Sequence, residues 1–584
     1  MNHADQVMGW LQDLGYSHCF FVAGGNSMHL LNSARQTMTC VPFVHEVSAG
    51  IAAEYFNEAQ DENGRAFVLV TAGPGMTNLA TALAGAFLES RELLVLGGQV
   101  KSTDLATGGL RQRGIQEIDG VAIASPITKC SLRIEKPIDR KTFVNAVITG
   151  ITGRPGPVFL EFCLDAQGAT ALTEEDVTSL QPALSQLQKV EKKEIIASAT
   201  LLRNSFKPVL LLGGGVSRES MNRLLPLIEK SGIPVMTTWN GADRMASDHP
   251  QYLGRPNTWG QRSSNILIQQ ADLVIAAGTR LGLQQSGFNW QEFVAHGKII
   301  HIDIDRAELE KGHPKTELAV NADASNFIEQ LLSEVSSDKT SDWKSWLDEA
   351  SDIRKALPLS EKVNGSYENF FNPFDFALEL SEMCSNTDQV IPCSSGGAFT
   401  VMMQAFNQKL GQTIITDKGL ASMGYGLAGA IGASLARRDR RTVLVEGDGG
   451  FAQNLQELAT VNVQNLNLKI FIFSNEGYAS IRMTQRNYFD GAYLGCDTNT
   501  GLGFPDWSLL AIAFGLKTVA LTPDTIKSSV FIEAWNDSAP CLFVVPVHPE
   551  QTYFPKITSL VTASGGMVSA PLHLMTPELQ DQTS

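Results

Sequence analysis

The stretch from Val443 to Tyr478 constrains the fold of this chain more than any other, because it carries two strand patterns joined by a helical one. The apolar run Val443-Leu444-Val445 ends in Gly447-Asp448-Gly449. Leu455, Leu458, Ala459 and Val463 then recur at helical spacing before a second apolar run, Leu468 to Phe473. Strand, helix and strand in that order predict a right-handed crossover between parallel neighbours. Asp448 and Asn475 then both emerge at strand C-terminal ends, where open α/β sheets bind ligands. A carboxylate and an amide oxygen so placed can share a cation, and Mg²⁺, a hard ion taking oxygens at about 2.1 Å, suits them. A lone Gly-Asp-Gly is equally an ordinary turn between a strand and a helix.

What separates the two readings is the second half of the pattern. Asn475 follows Asp448 by 27 residues and is itself followed by Glu476-Gly477-Tyr478. This spacing resembles the thiamine diphosphate signature. The resemblance implies that Asp448, Asn475 and the Gly477 carbonyl hold Mg²⁺, with Gly447, Gly449, Gly450 and Tyr478 around the cofactor's diphosphate. The family usually has Asn-Asn where this chain has Ser474-Asn475, so the metal role passes to Asn475 alone. Gly419 to Gly432 is similar to the segment that supplies a wedge beneath the cofactor, which makes Met423 the wedge. Read without the family, Met423 is an ordinary gap-filling core residue.

Upstream, Val41 to Val44 reads as a strand leading to His45-Glu46 and a helix rich in small residues. On its own, Glu46 is an acid at a helix N-terminus. The segment resembles the one carrying the family's catalytic glutamate, which hydrogen-bonds the aminopyrimidine and relays a proton. Partial burial beside Val44 and Val47 is expected to tune it. Thr71 to Asn78 resembles the family's SGPGxTN turn and places Gly73 and Asn78 at the cofactor, although a glycine turn also serves tight packing. Ile115-Gln116-Glu117-Ile118-Asp119 resembles the FQExD element, giving Gln116 a substrate-facing role beside a less aromatic wall.

A chain of 584 residues is long for one core. The expected class is α/β, with three doubly wound parallel-sheet domains: a pyrimidine-binding domain over 1–167, a central domain over 190–335 and a diphosphate and Mg²⁺ domain over 364–555. Polar segments at 168–194 and 336–363 read as linkers, and 556–584 as a surface tail. The central domain lacks GxGxxG. It resembles the middle domain of acetohydroxyacid synthases, which binds FAD in many members. Gly213, Gly214 and Gly215, through backbone N–H groups, and Arg280, Asp303 and Asp305, through side chains, are the implied flavin contacts, or else plain strand-end turns.

A net charge of −16 without a basic cluster argues against nucleic acid. No apolar run is long enough for a membrane span and no secretory signal is visible, so a cytoplasmic protein is expected. Eight cysteines without metal spacing read as reduced thiols.

The resemblance covers about residues 1–555 and implies a homodimer or homotetramer in which Glu46 and Asp448 meet across subunits. It implies decarboxylation of pyruvate or a similar 2-ketoacid and ligation of the acyl unit to a second carbonyl. Two departures bear on the acceptor. Where acetohydroxyacid synthases have a pocket tryptophan and an arginine, this chain has Thr484 and Gln284. Neither replaces a carboxylate-pairing guanidinium. The flavoprotein carboligases that acylate a nucleotide-linked keto-deoxysugar, as in yersiniose biosynthesis, are therefore the relatives expected, with Tyr478, Arg482 and Gln485 lining the acceptor pocket or else merely solvated. Acetolactate synthesis from two ketoacids, a pyruvate oxidase-type flavoenzyme and an inactive paralogue are the alternatives.

Overall fold

The computed structural model describes residues 1–60, 64–173, 190–336 and 342–579. Most of the expected first linker, 174–189, lies outside the described residues. Strand patterns become three parallel sheets. The first holds β1 (Tyr16–Phe21), β2 (Thr39–Pro42), β3 (Arg65–Val70), β4 (Leu93–Gln99), β5 (Cys130–Ile134) and β6 (Pro157–Cys163). The second holds β7 (Pro208–Leu212), β8 (Val235–Thr237), β9 (Leu273–Ala277), β10 (Lys298–Asp303) and β11 (Leu318–Asn321). The third holds β12 (Gln389–Ile391), β13 (Thr413–Ile414), β14 (Thr442–Gly447), β15 (Leu468–Ser474), β16 (Lys517–Ala520) and β17 (Cys541–Pro546). Helices cover both faces, so central strands such as Leu273–Ala277 are continuous buried apolar runs rather than alternating ones.

The first and third sheets share one topology, β2-β1-β3-β4-β6-β5 and β13-β12-β14-β15-β17-β16, and the middle sheet follows the same order up to its fifth strand. In each, the chain reverses direction of growth between the first and third strands. Ligands bind outside strand ends at such a switch point. The turns found there are Ala23–Asn26 and Thr71–Gly75, Gly213–Gly215 and Gly278–Arg280, and Cys393–Gly397 and Asp448–Gly450.

The helices Glu46–Ala59 and Tyr425–Ala436 occupy equivalent places in the outer domains and pack on each other. Small residues make this approach possible. A Cβ on Gly432 would lie 2.0 Å from the Ala52 carbonyl, and one on Gly429 would lie 2.6 Å from the Tyr55 ring. Both helices contribute to one continuous apolar core.

Two expectations need correcting. The segment read as a linker over 336–363 contains the helix Lys344–Ala356, which buries Trp346 and Ala350. The surface tail is anchored as well. Ile557, Leu572 and Met575 enter the same central-domain cluster as Trp346, around the hairpin Ser559–Val561 and Met567–Ser569. Three apolar residues so widely spaced form no periodic signal, because the surface that buries them lies more than two hundred residues earlier in the chain.

Candidate functional site

Asp448 follows β14 directly and is buried. Its Oδ2 accepts from the Asn475 N–H at 2.7 Å, and its Oδ1 from the Trp507 indole N–H at 2.6 Å. Burial pushes its pKa up, and these donors oppose that shift. Asn475 ends the turn from β15, and its Oδ1 is buried without a hydrogen-bond partner. A buried, unsatisfied acceptor is costly, and a cation beside it and the carboxylate would satisfy both. Among the described residues no group of three or more His, Cys, Asp or Glu forms a metal cage. A cation here would therefore draw on amide, carbonyl and ligand oxygens, which suits Mg²⁺.

The loop carrying these donors is held from behind. Glu476 has a left-handed φ of 61°, and a Cβ on Gly477 would lie 2.1 Å from the Cys496 carbonyl. Arg482 is buried, donates to the Pro549 carbonyl at 2.8 Å and the Asn475 carbonyl at 3.4 Å, and sits 3.6 Å from Asp497. It is thus neither an acceptor-pocket wall nor a solvated side chain but a clamp on the loop. Gln485 is likewise occupied, exchanging two hydrogen bonds with the backbone of Leu494. Tyr478 packs over Gly449, where a Cβ would lie 2.2 Å from the ring. Gly450 is needed beside Glu446, whereas a Cβ on Gly447 would meet nothing within 4 Å and the turn there stays open. Met423 is half-exposed, not a core gap-filler. The adjoining Ser395-Gly396-Gly397 turn at the end of β12 went unread in the sequence. Its signal is the glycine pair after an apolar run, the same as Gly24-Gly25 after β1.

In the first domain, Glu46 opens its helix and is 8% exposed. Its Oε2 accepts from the Asn78 amide at 3.0 Å, so Asn78 orients the acid. Gly73, with φ 64°, passes so close to Gln116 that a Cβ would lie 2.2 Å from that residue's carbonyl. Gln116 itself is exposed and has φ 62°. Glu117 secures this loop by accepting from the N–H groups of Arg113 at 2.8 Å and Gly114 at 2.9 Å, a role the sequence did not reveal. Glu46, Gly73, Asn78 and Gln116 therefore form one group, and Asp448, Gly449, Asn475, Gly477 and Tyr478 another. No hydrogen bond among the described residues joins Glu46 to Asp448 or Asn475.

The central domain opens onto a cavity of about 1500 Å³ reached by all three domains. Gly214, Gly215, Arg280 and Asp303 line it, together with Arg154, Arg218, Lys311 and Lys418. The expected backbone contacts need correction. The Gly213 N–H donates to Ala277 and the Gly215 N–H to Gly278, both at 2.9 Å, so sheet bonding takes up two of the three turn donors. Asp305 caps a helix and pairs with Arg154 at 2.7 Å rather than lining the cavity. Burial pushes Asp303 up and Lys418 down, the latter to about 7. Seven Arg and Lys side chains line the cavity together with seven Asp and Glu, and Arg154, Arg218 and Lys311 are paired with acids, so Arg280, Lys418 and the Gly214 N–H are groups there that can meet an anionic ligand. Gln284 also lines the cavity, whereas the Thr484 hydroxyl turns back to the Ser480 carbonyl at 2.9 Å.

No helix among the described residues is long and apolar enough to cross a membrane. Residues 1–123 match the family model "Thiamine pyrophosphate enzyme, N-terminal TPP binding domain", 195–331 the central domain and 395–545 the C-terminal TPP binding domain. The chain is 31% identical to a probable acetolactate synthase large subunit of Methanocaldococcus jannaschii, covering 94% of this chain and 93% of the relative. It is 28% identical to the isozyme 1 large subunit of Escherichia coli, covering 95% of each. It is also 28% identical to the acetolactate synthase large subunit of Lactococcus lactis, covering 94% of this chain and 93% of that one.

Proposed function

This chain belongs to the thiamine pyrophosphate enzymes, as a ketoacid carboligase of the acetolactate synthase type with a decarboxylation step, and on that premise we propose its substrates and site residues. It takes pyruvate or a close 2-ketoacid as donor and delivers the acyl unit to a carbonyl acceptor other than a simple 2-ketoacid, a nucleotide-linked keto-deoxysugar. The observation that carries the cofactor assignment is the unpartnered Asn475 Oδ1 beside the buried Asp448 carboxylate.

Bound thiamine diphosphate supplies a nucleophilic carbon and an electron sink for the carboxylate that leaves as CO₂. Asp448, Asn475 and the Gly477 carbonyl would hold Mg²⁺, and Gly447, Gly449 and Gly450 let backbone come close to a diphosphate. Met423 would back the cofactor rings. Glu46, oriented by Asn78, would hold and return a proton at the aminopyrimidine. Gln116 would face the substrate. By its resemblance to this family, the working unit is a homodimer or homotetramer in which Glu46 and Asp448 meet across subunits. FAD is proposed for the central cavity, with Arg280 and Lys418 among the cations facing its diphosphate.

The acceptor reading is supported by Gln284 and by Thr484, whose hydroxyl bonds its own helix and offers no aromatic wall. Full-length similarity to acetolactate synthase subunits favours the second reading, condensation of two 2-ketoacids. Mass spectrometry of products from ¹³C-pyruvate, with ketoacids, aldehydes and nucleotide keto-sugars in separate reactions, decides between them. Acetolactate as the dominant product overturns the sugar acceptor.

A further inference from the structure

In the first sheet β1 and β2 are parallel neighbours whose register sets Cys19 directly across from Cys40. Both side chains lie on the sheet face that packs against Trp10, Leu30, Ala34 and Met38, so the two thiols meet on one side of the edge strand. Among the described strand pairs no other two cysteines face each other. Cys19 is fully buried, while Cys40, on the edge, is half-buried. Burial pushes the Cys19 thiol well up, and the hydrogen bond from Cys19 holds Cys40 below its ordinary value. Neighbouring strands stand about 4.8 Å apart, within the range of about 4.4–6.8 Å that disulfides span between Cα atoms.

We infer that Cys19 and Cys40 form a reversible dithiol–disulfide couple that exchanges with small disulfides such as oxidised glutathione. Cys40, the accessible partner, attacks as thiolate, forms a mixed disulfide and releases one glutathione thiolate, which takes up the proton Cys40 lost. Cys19, deprotonated, then attacks the Cys40 sulfur and displaces the second glutathione, whose sulfur takes that proton. Two protein thiols and one small disulfide become one protein disulfide and two small thiols. The new bond draws the two Cβ atoms to about 3.8 Å, closer than the strand spacing, and so pulls β2 inward. β2 leads within six residues to Glu46. Given the role proposed for Glu46, closing the couple lowers turnover.

The test treats the full chain with graded ratios of oxidised to reduced glutathione, followed by acid quench, alkylation and trypsin. Arg35 is the only Lys or Arg between the two cysteines, so the bond appears as residues 1–35 joined to 36–65. The joined peptide is expected to rise with the oxidised fraction and to vanish with dithiothreitol. It is absent from Cys40→Ser, which keeps its turnover in oxidising buffer, whereas the wild type loses turnover in step with the linked fraction. Complete alkylation of both cysteines at every ratio, or glutathione left on Cys40 without the link, overturns the couple. A link with unchanged turnover overturns the coupling to the Glu46 strand. The peptide is read without any substrate, so failure of the couple is distinct from failure of the proposed reaction.

Discussion

Asp448 keeps its geometry through two donors on opposite oxygens, the Asn475 N–H and the Trp507 indole. Trp507 lies beyond every recognisable motif and was invisible in the sequence, since nothing in a tryptophan 59 residues downstream announces its partner. Outer partners of a metal ligand usually matter about 10–100-fold in affinity. Trp507→Phe is expected to weaken Mg²⁺-dependent binding of thiamine diphosphate by that factor, read by calorimetry across a Mg²⁺ titration, while leaving the fold intact by circular dichroism. Glu46→Gln keeps the hydrogen-bonding shape but not the proton, so pyruvate turnover should fall by about 10²- to 10⁴-fold with cofactor affinity nearly unchanged. Near-normal turnover in that variant removes Glu46 from the mechanism.

The paired helices Glu46–Ala59 and Tyr425–Ala436 show what a small-residue pattern means at the level of an element. The glycines of Tyr425–Ala436 were legible as part of a cofactor segment, yet Gly432 and Gly429 are there for the opposing helix. The obstacle at Gly432 is the Ala52 carbonyl, a backbone atom that cannot rotate away. Overpacking of this kind costs about 1–3 kcal/mol. Gly432→Ala should therefore lower the denaturation midpoint, whereas Gly282→Ala, with no atom within 4 Å of the added carbon, should change it little. Equal effects of the two changes contradict the packing argument.

At the scale of the molecule, the contact between outer domains encloses Glu54, Arg91, Asp417 and Tyr425. Glu54 accepts from Arg91 at 2.8 Å. Burial, with Asp417 and Glu89 nearby, nonetheless pushes its carboxyl up to about 8, because one guanidinium is shared among several acids. In the unfolded chain Glu54 ionises near its ordinary 4.5, so between that value and about 8 the folded state binds the extra proton. Stability from this group is thus full below about 4.5 and declines as pH rises toward 8. Glu54→Gln, neutral at all pH, should flatten the fall in midpoint between pH 5 and 8 relative to the wild type. Assembly belongs to this scale too: on the proposed homodimer or homotetramer, sedimentation should report at least a dimer.

The sequence by itself determined the α/β class with three parallel-sheet domains and several of the turns at strand ends, among them Ala23–Asn26, Thr71–Gly75, Gly213–Gly215 and Gly447–Gly449. Strand and helix periodicity and glycine turns are local properties, set by residues a few positions apart. Only the tertiary structure decided that Arg482 clamps the metal loop, that Gly213 and Gly215 give their N–H groups to the sheet, and that Ile557, Leu572 and Met575 seal the central domain. It alone set Cys19 against Cys40. Such roles depend on which distant residue arrives within bonding distance, and that follows from packing rather than from any pattern along the chain.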